Sequence, residues 1–506
     1  MALNNTFADI HPHTSFKYAY NEMDLWKSIN IPHLLIERII GMTAYSQSDF
    51  RRMALGGTQI AFVGLNAIEQ RMSFMKDPLG KIMDRLDSVT YFLTKIPADS
   101  IDFIRSDQYD HYSQVLKEKD LLKSNQHRSR KIYFKKLKFI KCKFEIVHNY
   151  NRIEEIIELN KNDKSQFTIA VVLTMEGIYN LGTGHLSFNG HNKFNVSEDR
   201  LLKRIDNLKG IDNDEGPGWQ FSPVWMGLGH IFYNGIYGYP QALKEGFKKI
   251  FVYSDSVRDQ NTDLNKGMNS QGKRIIKRML GIEEESDVGG RRIHVDIKHL
   301  STRCRKEYYE IIDAYNENHP NDIIPVIMSH GAVNGKPTLD DMNYIPPDTD
   351  KEQEDSTGFN PWSINIYDDE ILRVHQTQGL IGVMLDERII SGKQKIKDTK
   401  GRGKKKWGKI FADQIEHIVK TVYSSNLLYK EEIWDRISIG SDFDGQINPA
   451  NAFHTSKKFP NLRKALEYEL SGDRFNPYRN ASEISTILNK ICHDNALNFL
   501  KRHFDN

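Results

Sequence analysis

Three cysteines in 506 residues, Cys142, Cys304 and Cys492, are too few, too scattered and odd in number to make a disulfide framework. None has a Cys-x-x-Cys partner, so structural thiols are expected. Any apolar run near the eighteen or so residues of a membrane helix is also missing, which excludes a helical span. Residues 1–30 lack the basic-then-apolar order of a secretory signal. Cytoplasm is therefore the default location, and a signal peptide removed earlier would leave no trace. Charge of one sign is missing too: 70 Lys and Arg stand against 67 Asp and Glu, so no nucleic acid and no membrane surface is implied as partner. The basic residues are instead local, in 123–143 and 393–406, the second containing Lys-Gly-Arg-Gly-Lys-Lys-Lys. A solvated face, with a basic loop over 393–407, is the plain reading of both; phosphate or nucleic-acid binding is the sharper one. No internal repeat is visible.

What is present is a series of short apolar runs that each end on a residue able to bind a metal or move a proton. They are Phe7–His13, Thr168–Glu176, Val224–His230, Ile293–His299, Ile324–His330 and Ile437–Asp442, the last opening Gly-Ser-Asp-Phe-Asp-Gly. A buried strand of about four to eight residues carries its polar residue where the backbone leaves the core. Eight candidate strands can be placed, at 7–10, 58–65, 168–175, 224–229, 293–298, 323–328, 379–385 and 436–441, with room for a helix between each. Spacings of three and four predict helices over 201–208, 271–280, 303–316, 368–377, 411–424 and 481–501. Strands alternating with helices predict an α/β protein with a parallel sheet, and eight of them a (β/α)8 TIM-type barrel with its site at the C-terminal strand ends. Length alone would suggest two or three domains. Yet the strand-exit residues run from His11 to Asp442, so splitting the chain would split the site. Residues 1–506 are read as one barrel, with 66–165 and 334–363 as long insertions or loops.

His11-Pro-His13 follows a strand, and residues two apart on an extended segment point the same way, so both imidazoles reach one metal. The pair also occurs often by chance on protein surfaces. His299 and His330 end different strands that converge on the same mouth and could hold a second ion. Glu176 supplies the carboxylate that bridges two ions about 3.5–4 Å apart; read alone, it is as well a turn residue. A water between such ions loses its proton near neutral pH and becomes the nucleophile. Asp442 then accepts that proton and hands it to the leaving group, while His230 polarises the substrate carbonyl. His294 and Lys298 are read as packing or supporting residues, Lys298 facing away from His299.

Seven segments in order resemble the membrane (renal) dipeptidases, peptidase family M19 of the amidohydrolase superfamily. They are Asp9-x-His-x-His13, Thr174-Met-Glu-Gly177, Gly227-Leu-Gly-His-x-Phe-Tyr-Asn234, Gly267-Met-Asn-Ser-Gln-Gly-Lys273, His294-Val-Asp-Ile-Lys-His-Leu-Ser301, Pro325-Val-Ile-Met-Ser-His-Gly331 and Ile439-Gly-Ser-Asp-Phe-Asp-Gly445, followed by Ser456–Leu462. The resemblance implies a zinc enzyme in which His11, His13 and Glu176 hold one ion and Glu176, His299 and His330 the other. It implies further that His230 contacts the substrate carbonyl region and Asp442 the catalytic water. Two departures stand out. The family's first motif is commonly His-x-Asp, where this chain has His-x-His, and imidazole ligates zinc as well as carboxylate does. The family's Arg for the free carboxylate of the dipeptide is replaced by Ile364, which cannot form an ion pair. Arg388 could act from another direction, or form a salt bridge with Asp386 or Glu387.

The function expected is zinc-dependent hydrolysis of an amide bond, with dipeptides the first substrate class. Alternatives are another amide, a lactam or an N-acyl amino acid, or an inactive metal-bound scaffold. The partner expected is a small-molecule substrate, and a homodimer is allowed.

Overall fold

The structure is a computed structural model that describes residues 5–30, 43, 45–70, 96–134, 138–184, 196–242, 264–282, 289–339, 358–479 and 483–505. Residues 340–357 of the loop read over 334–363, and 71–95 and 135–137 of the stretch 66–165, lie outside the described residues.

In chain order the strands are β1 (Phe7–Asp9), β2 (Thr58–Leu65), β3 (Arg130–Phe134), β4 (Lys138–Ile146), β5 (Gln166–Glu176), β6 (Trp225–Gly227), β7 (His294–Asp296), β8 (Ile327–Gly331), β9 (Leu380–Val383) and β10 (Ile437–Ile439). Eight of them pair in parallel in the order β1-β2-β5-β6-β7-β8-β9-β10. The ring is joined where Ile10 N donates to Ile439 O at 2.9 Å. The architecture is thus the (β/α)8 barrel that the spacing predicted, with every predicted strand present and most of them shorter. Short strands follow from the chemistry of their exits, because polar and glycine residues end the ladder early.

Side-chain alternation sorts each strand into two faces. Ala8, Ile10, Ile60, Phe62, Ala170, Val172, Trp225, Ile327 and Leu380 pack together inside the barrel. Their in-between neighbours, such as Ala61, Val63, Ile169, Val171, Leu173 and Val295, pack outward against the helices. The floor is closed by the helix Asn495–His503, whose Phe499 lies 5.6 Å ring to ring from Trp225, itself stacked at 4.8 Å on Phe62.

The stretch 66–165, read as mixed and partly helical, also contains β3 and β4. They form an antiparallel hairpin, and β4 runs parallel to the first half of β5, below the point where β6 takes over. Ile140, Cys142, Phe144 and Ile146 alternate with Lys141, Lys143 and Glu145, a period of two that the lysine content conceals. The basic segment 393–407, read as a loop, carries the helix Lys393–Asp398 and the first turn of Lys404–Tyr423. Lysine is a good helix former, and the apolar Trp407, Ile410, Phe411 and Ile415 on the buried side of the second helix anchor it. Among the described residues no helix is long and apolar enough to cross a membrane.

Candidate metal centre

The interior phase of β5 runs Ala170, Val172, Thr174, Glu176, so the strand that fills the core with its first residues delivers a carboxylate to the mouth with its last. On β2 the same phase runs Ile60, Phe62, Gly64. Gly64 leaves a gap that the His13 ring fills, and a Cβ there would lie 2.9 Å from His13 Cε1. His11 and His13 follow β1, His230 follows β6, His299 follows β7, His330 lies in β8 and Asp442 follows β10. His299 and Asp442 leave their strands with φ of 64° and 58°, left-handed conformations that turn the side chains back over the barrel.

All seven residues predicted from the sequence meet here. Four Nε2 atoms approach Glu176 from three strands: His13 at 3.0 Å, His299 at 3.3 Å, His330 at 3.4 Å and His11 at 3.6 Å. His230 Nε2 is a fifth, at 3.7 Å. Asp442 lies on the other side of the group, with Oδ1 3.8 Å from His13 Nε2 and Oδ2 4.0 Å from His330 Nε2. All are buried.

The ring protons can be assigned from the partners of Nδ1. His13 Nδ1 lies 3.0 Å from Gly64 O, and since a carbonyl only accepts, Nδ1 carries the proton. Ser329 Oγ donates to Asp296 Oδ2, which leaves its lone pairs to receive His11 Nδ1 and His330 Nδ1, both at 2.9 Å. In their neutral forms these three rings therefore present bare Nε2 lone pairs to the centre. His13 Nε2 and His11 Nε2 are only 3.2 Å apart. Two lone pairs at that distance, facing a carboxylate, need a proton or a cation between them. Burial disfavours protonation of His11, lowers His330 well below its usual range and takes His299 down to about 3. For His13 and His230 burial is again the largest effect, but the contacts with Glu176, joined by the charge of Glu118 for His13 and by Glu69 for His230, together outweigh it and both are raised.

Such a set of neutral imidazoles and carboxylates fits a metal ion of the zinc type. Three groups of described residues have ligand atoms within 4.8 Å of one another: His11, Glu176, His330; His11, His13, Asp442; and Glu176, His230, His299. Glu176 and His11 each belong to two of them. Burial opposes the charge of Glu176, yet His230 and the hydrogen bonds of the other histidines hold its carboxyl well below the usual range. Burial first, then the charges of Glu176 and Asp386, push the Asp442 carboxyl well above it.

Comparison with known proteins comes down to solved structures, since no family model and no curated protein matches the sequence. The probable dipeptidase PvdM from Pseudomonas aeruginosa is similar at TM-score 0.51 and 12% identity, over 99% of this chain and 96% of that one. A dipeptidase AC, described as a metallo-peptidase of family M19, is similar at TM-score 0.51 and 11% identity, over 99% of both chains. This chain shares their fold. At such identity the likeness speaks for the fold alone, and it agrees with the resemblance read from the motifs.

Several residues at the site escaped the sequence reading. Glu69, just after β2, takes His230 Nδ1 and, at 3.0 Å, Ile231 N. Ser329 and Asp296 set two of the rings, and only their position one and three residues from a predicted site residue could have signalled them. Lys298, expected to face away, lies inside the barrel in phase with His294 and Asp296. Its Nζ is buried without a hydrogen-bond partner among the described residues, and burial lowers it to about 8 against the opposing charges of Asp442, Asp296 and Glu176. The strand ends at Asp296, and the left-handed turn at His299 brings both side chains to the centre. His294 is a floor residue, 5.2 Å ring to ring from His503. Asp444 orders the turn, accepting from Lys17 Nζ at 2.9 Å, Gln47 N at 3.0 Å and Ser48 N at 2.8 Å. Ile364 is buried in an apolar cluster with Ala332, Trp362, Met384 and Ile389.

Proposed function

We propose that this chain is a metal-dependent hydrolase of amide bonds, with two zinc ions held by His11, His13, Glu176, His299 and His330 and dipeptides as the first substrates to test. The observation that carries this reading is the convergence of five imidazole Nε2 atoms on one carboxylate, with Asp442 beside them and not among the closest contacts. Ions bound there would supply Lewis acidity toward a carbonyl oxygen and acidify a water molecule. The fold of the dipeptidase structures supports the same class.

The chain's own residues would then act as follows. Glu176 stays ionised, because the histidines hold its carboxyl low. His230, tied at Nδ1 to Glu69 and raised by the charges of Glu176 and Glu69, keeps a proton on Nε2 and donates it as a hydrogen bond to the carbonyl oxygen as negative charge builds there. Asp442, whose carboxyl has a raised proton affinity, takes the proton of the attacking water and delivers it to the leaving nitrogen. Gly445 keeps that carboxylate in reach, since a Cβ there would stand 1.9 Å from Asp442 Oδ1. Residues of this one centre come from both ends of the chain, so 1–506 works as one unit.

The test is metal analysis of the purified protein, followed by turnover of L-L and L-D dipeptides by wild type and Asp442→Asn. The reading expects about two zinc ions per chain in both proteins and turnover only in wild type. Full activity in Asp442→Asn, or a protein that retains no metal, would refute it. The apolar cluster around Ile364 favours a second reading, in which a lactam or another amide without a carboxylate is cleaved.

A further inference from the structure

Resting on the hydrolase reading, the mouth of the barrel bears on which amides are taken. Among the described residues three cations are linked by charge to the centre or to one another, Arg305, Lys298 and Arg388. Arg305 is committed elsewhere: it pairs with Glu370 at 2.9 Å and holds the carbonyls of Ser363 and Asn365 at 2.5 and 3.3 Å, which fixes the turn carrying Ile364. Lys298 is 2% exposed and sits within the barrel, among the supporting carboxylates. Arg388 differs from both.

Arg388 follows β9, on the side of the barrel where the metal centre opens. Asp386 grips its guanidinium on one edge, through Nε at 3.0 Å and Nη2 at 2.6 Å. The second Nη2 proton goes to Gln446 O at 3.0 Å, on the loop that carries Asp442. Asp386 is buried, so the guanidinium is fixed in orientation. Nη1, with its two N–H donors, has no partner among the described residues, and the side chain is 28% exposed. Arg388 and Asp442 are close enough for their charges to act on each other. Beside it, Ile389, Trp362, Ile364 and Met384 form the apolar cluster, which offers no competing cation.

We propose that Arg388 is a specificity-determining residue whose free Nη1 edge binds a carboxylate on the amine side of the scissile bond. The substrate class is then an amide with a free carboxylate next to the leaving nitrogen, a dipeptide or an N-acyl amino acid, and not a lactam or a simple amide. The cation comes from the loop after β9 and leaves position 364 free to be apolar.

The test uses the full-length, metal-replete protein and three probes: alanyl-phenylalanine, alanyl-phenylalaninamide and N-acetyl-phenylalanine. Calorimetric binding of phenylalanine against phenylalaninamide gives a second readout that needs no turnover. A charge-assisted hydrogen bond predicts a preference of about 10- to 100-fold for the carboxylate in kcat/KM and in binding. Arg388→Met should bring that ratio close to one, and Arg388→Lys should keep part of it. Because Arg388→Met leaves Asp386 buried without its partner, Asp386→Asn with Arg388→Met is the control for folding. An undiminished ratio in these variants, or a wild type that cleaves carboxamide and carboxylate alike, overturns the assignment while the hydrolase reading stands. A wild type that cleaves none of the three and binds no phenylalanine overturns both. Between the first and third probes, the faster one tells dipeptide from N-acyl amino acid.

Discussion

Ser329→Ala is the substitution that most directly tests how the metal centre is built. One hydroxyl receives the Nδ1 protons of His11 and His330, both at 2.9 Å, and gives its own proton to Asp296. Asp296 would keep two backbone donors, Ser329 N at 3.0 Å and Lys298 N at 3.1 Å, so it stays anchored. The two imidazoles would not: each loses its only hydrogen-bond acceptor on the Nδ1 side. A buried donor left without a partner costs about 1–3 kcal/mol, so the pair together places the loss of apo-protein stability at about 2–6 kcal/mol. Each ring can escape that cost by moving its proton to Nε2, the atom that faces Glu176. That tautomer cannot ligate. Metal affinity should therefore fall about 10- to 100-fold, the usual effect of removing an orienting partner. Chelator competition gives the affinity and a denaturant titration of the apo-protein gives the stability. Wild-type values in both would refute the proton assignment, and with it the claim that these rings are set to present lone pairs.

Gly64→Ala places a methyl 2.9 Å from His13 Cε1; the ring must move, and metal affinity, read by the same competition, should drop at least tenfold. Arg305→Met should destabilise the protein by about 3–5 kcal/mol, because Glu370 would remain buried and unpaired. Adding Glu370→Leu should recover most of that loss in a denaturation curve. Phe62→Ala in the barrel floor should cost about 3–5 kcal/mol and leave the metal content of the folded protein unchanged. His294 and His503 give a pH dependence: burial lowers His294 well below its ordinary value and His503 to about 3. The unfolded chain then binds more protons than the folded one once the pH falls below about 6.5, so stability is full above that value and is lost as the pH drops toward the folded values. The variant His294→Gln with His503→Gln should lose less stability between pH 7 and 5 than wild type, and an equal loss would refute the link.

The barrel and the convergence of the seven candidate residues were legible because a strand exit leaves two marks at once, an apolar run and the polar residue that ends it. Glu176 shows why this works: ten residues of β5 precede it, buried almost throughout, and alternation alone then fixes its direction. Lys298 shows where the same rule fails. Counting back from His299 assumes an extended backbone, and the left-handed turn at His299 breaks the count. The hairpin β3–β4 was hidden for another reason. Its outer face is lysine-rich because it is solvated, and composition averages that face with the buried Cys142 and Phe144.

What could not be read from the sequence is mostly the layer of residues that hold the site residues in place. Glu69 lies 161 positions from His230, and Ser329 lies 318 from His11. No spacing rule links such pairs, since the fold alone decides that β8 and the exit of β1 share the barrel interior. Arg388 was open in the sequence, as a carboxylate partner from another direction or as one half of a salt bridge. Its neighbours in sequence, Asp386 and Glu387, suggested an ordinary salt bridge, and the pair with Asp386 does form. That pair is also what orients the guanidinium: with Nε and Nη2 committed to Asp386 and Gln446, only Nη1 is left to meet a ligand. A salt bridge that looks structural in the sequence is, at a barrel mouth, a way of aiming the remaining donors of an arginine.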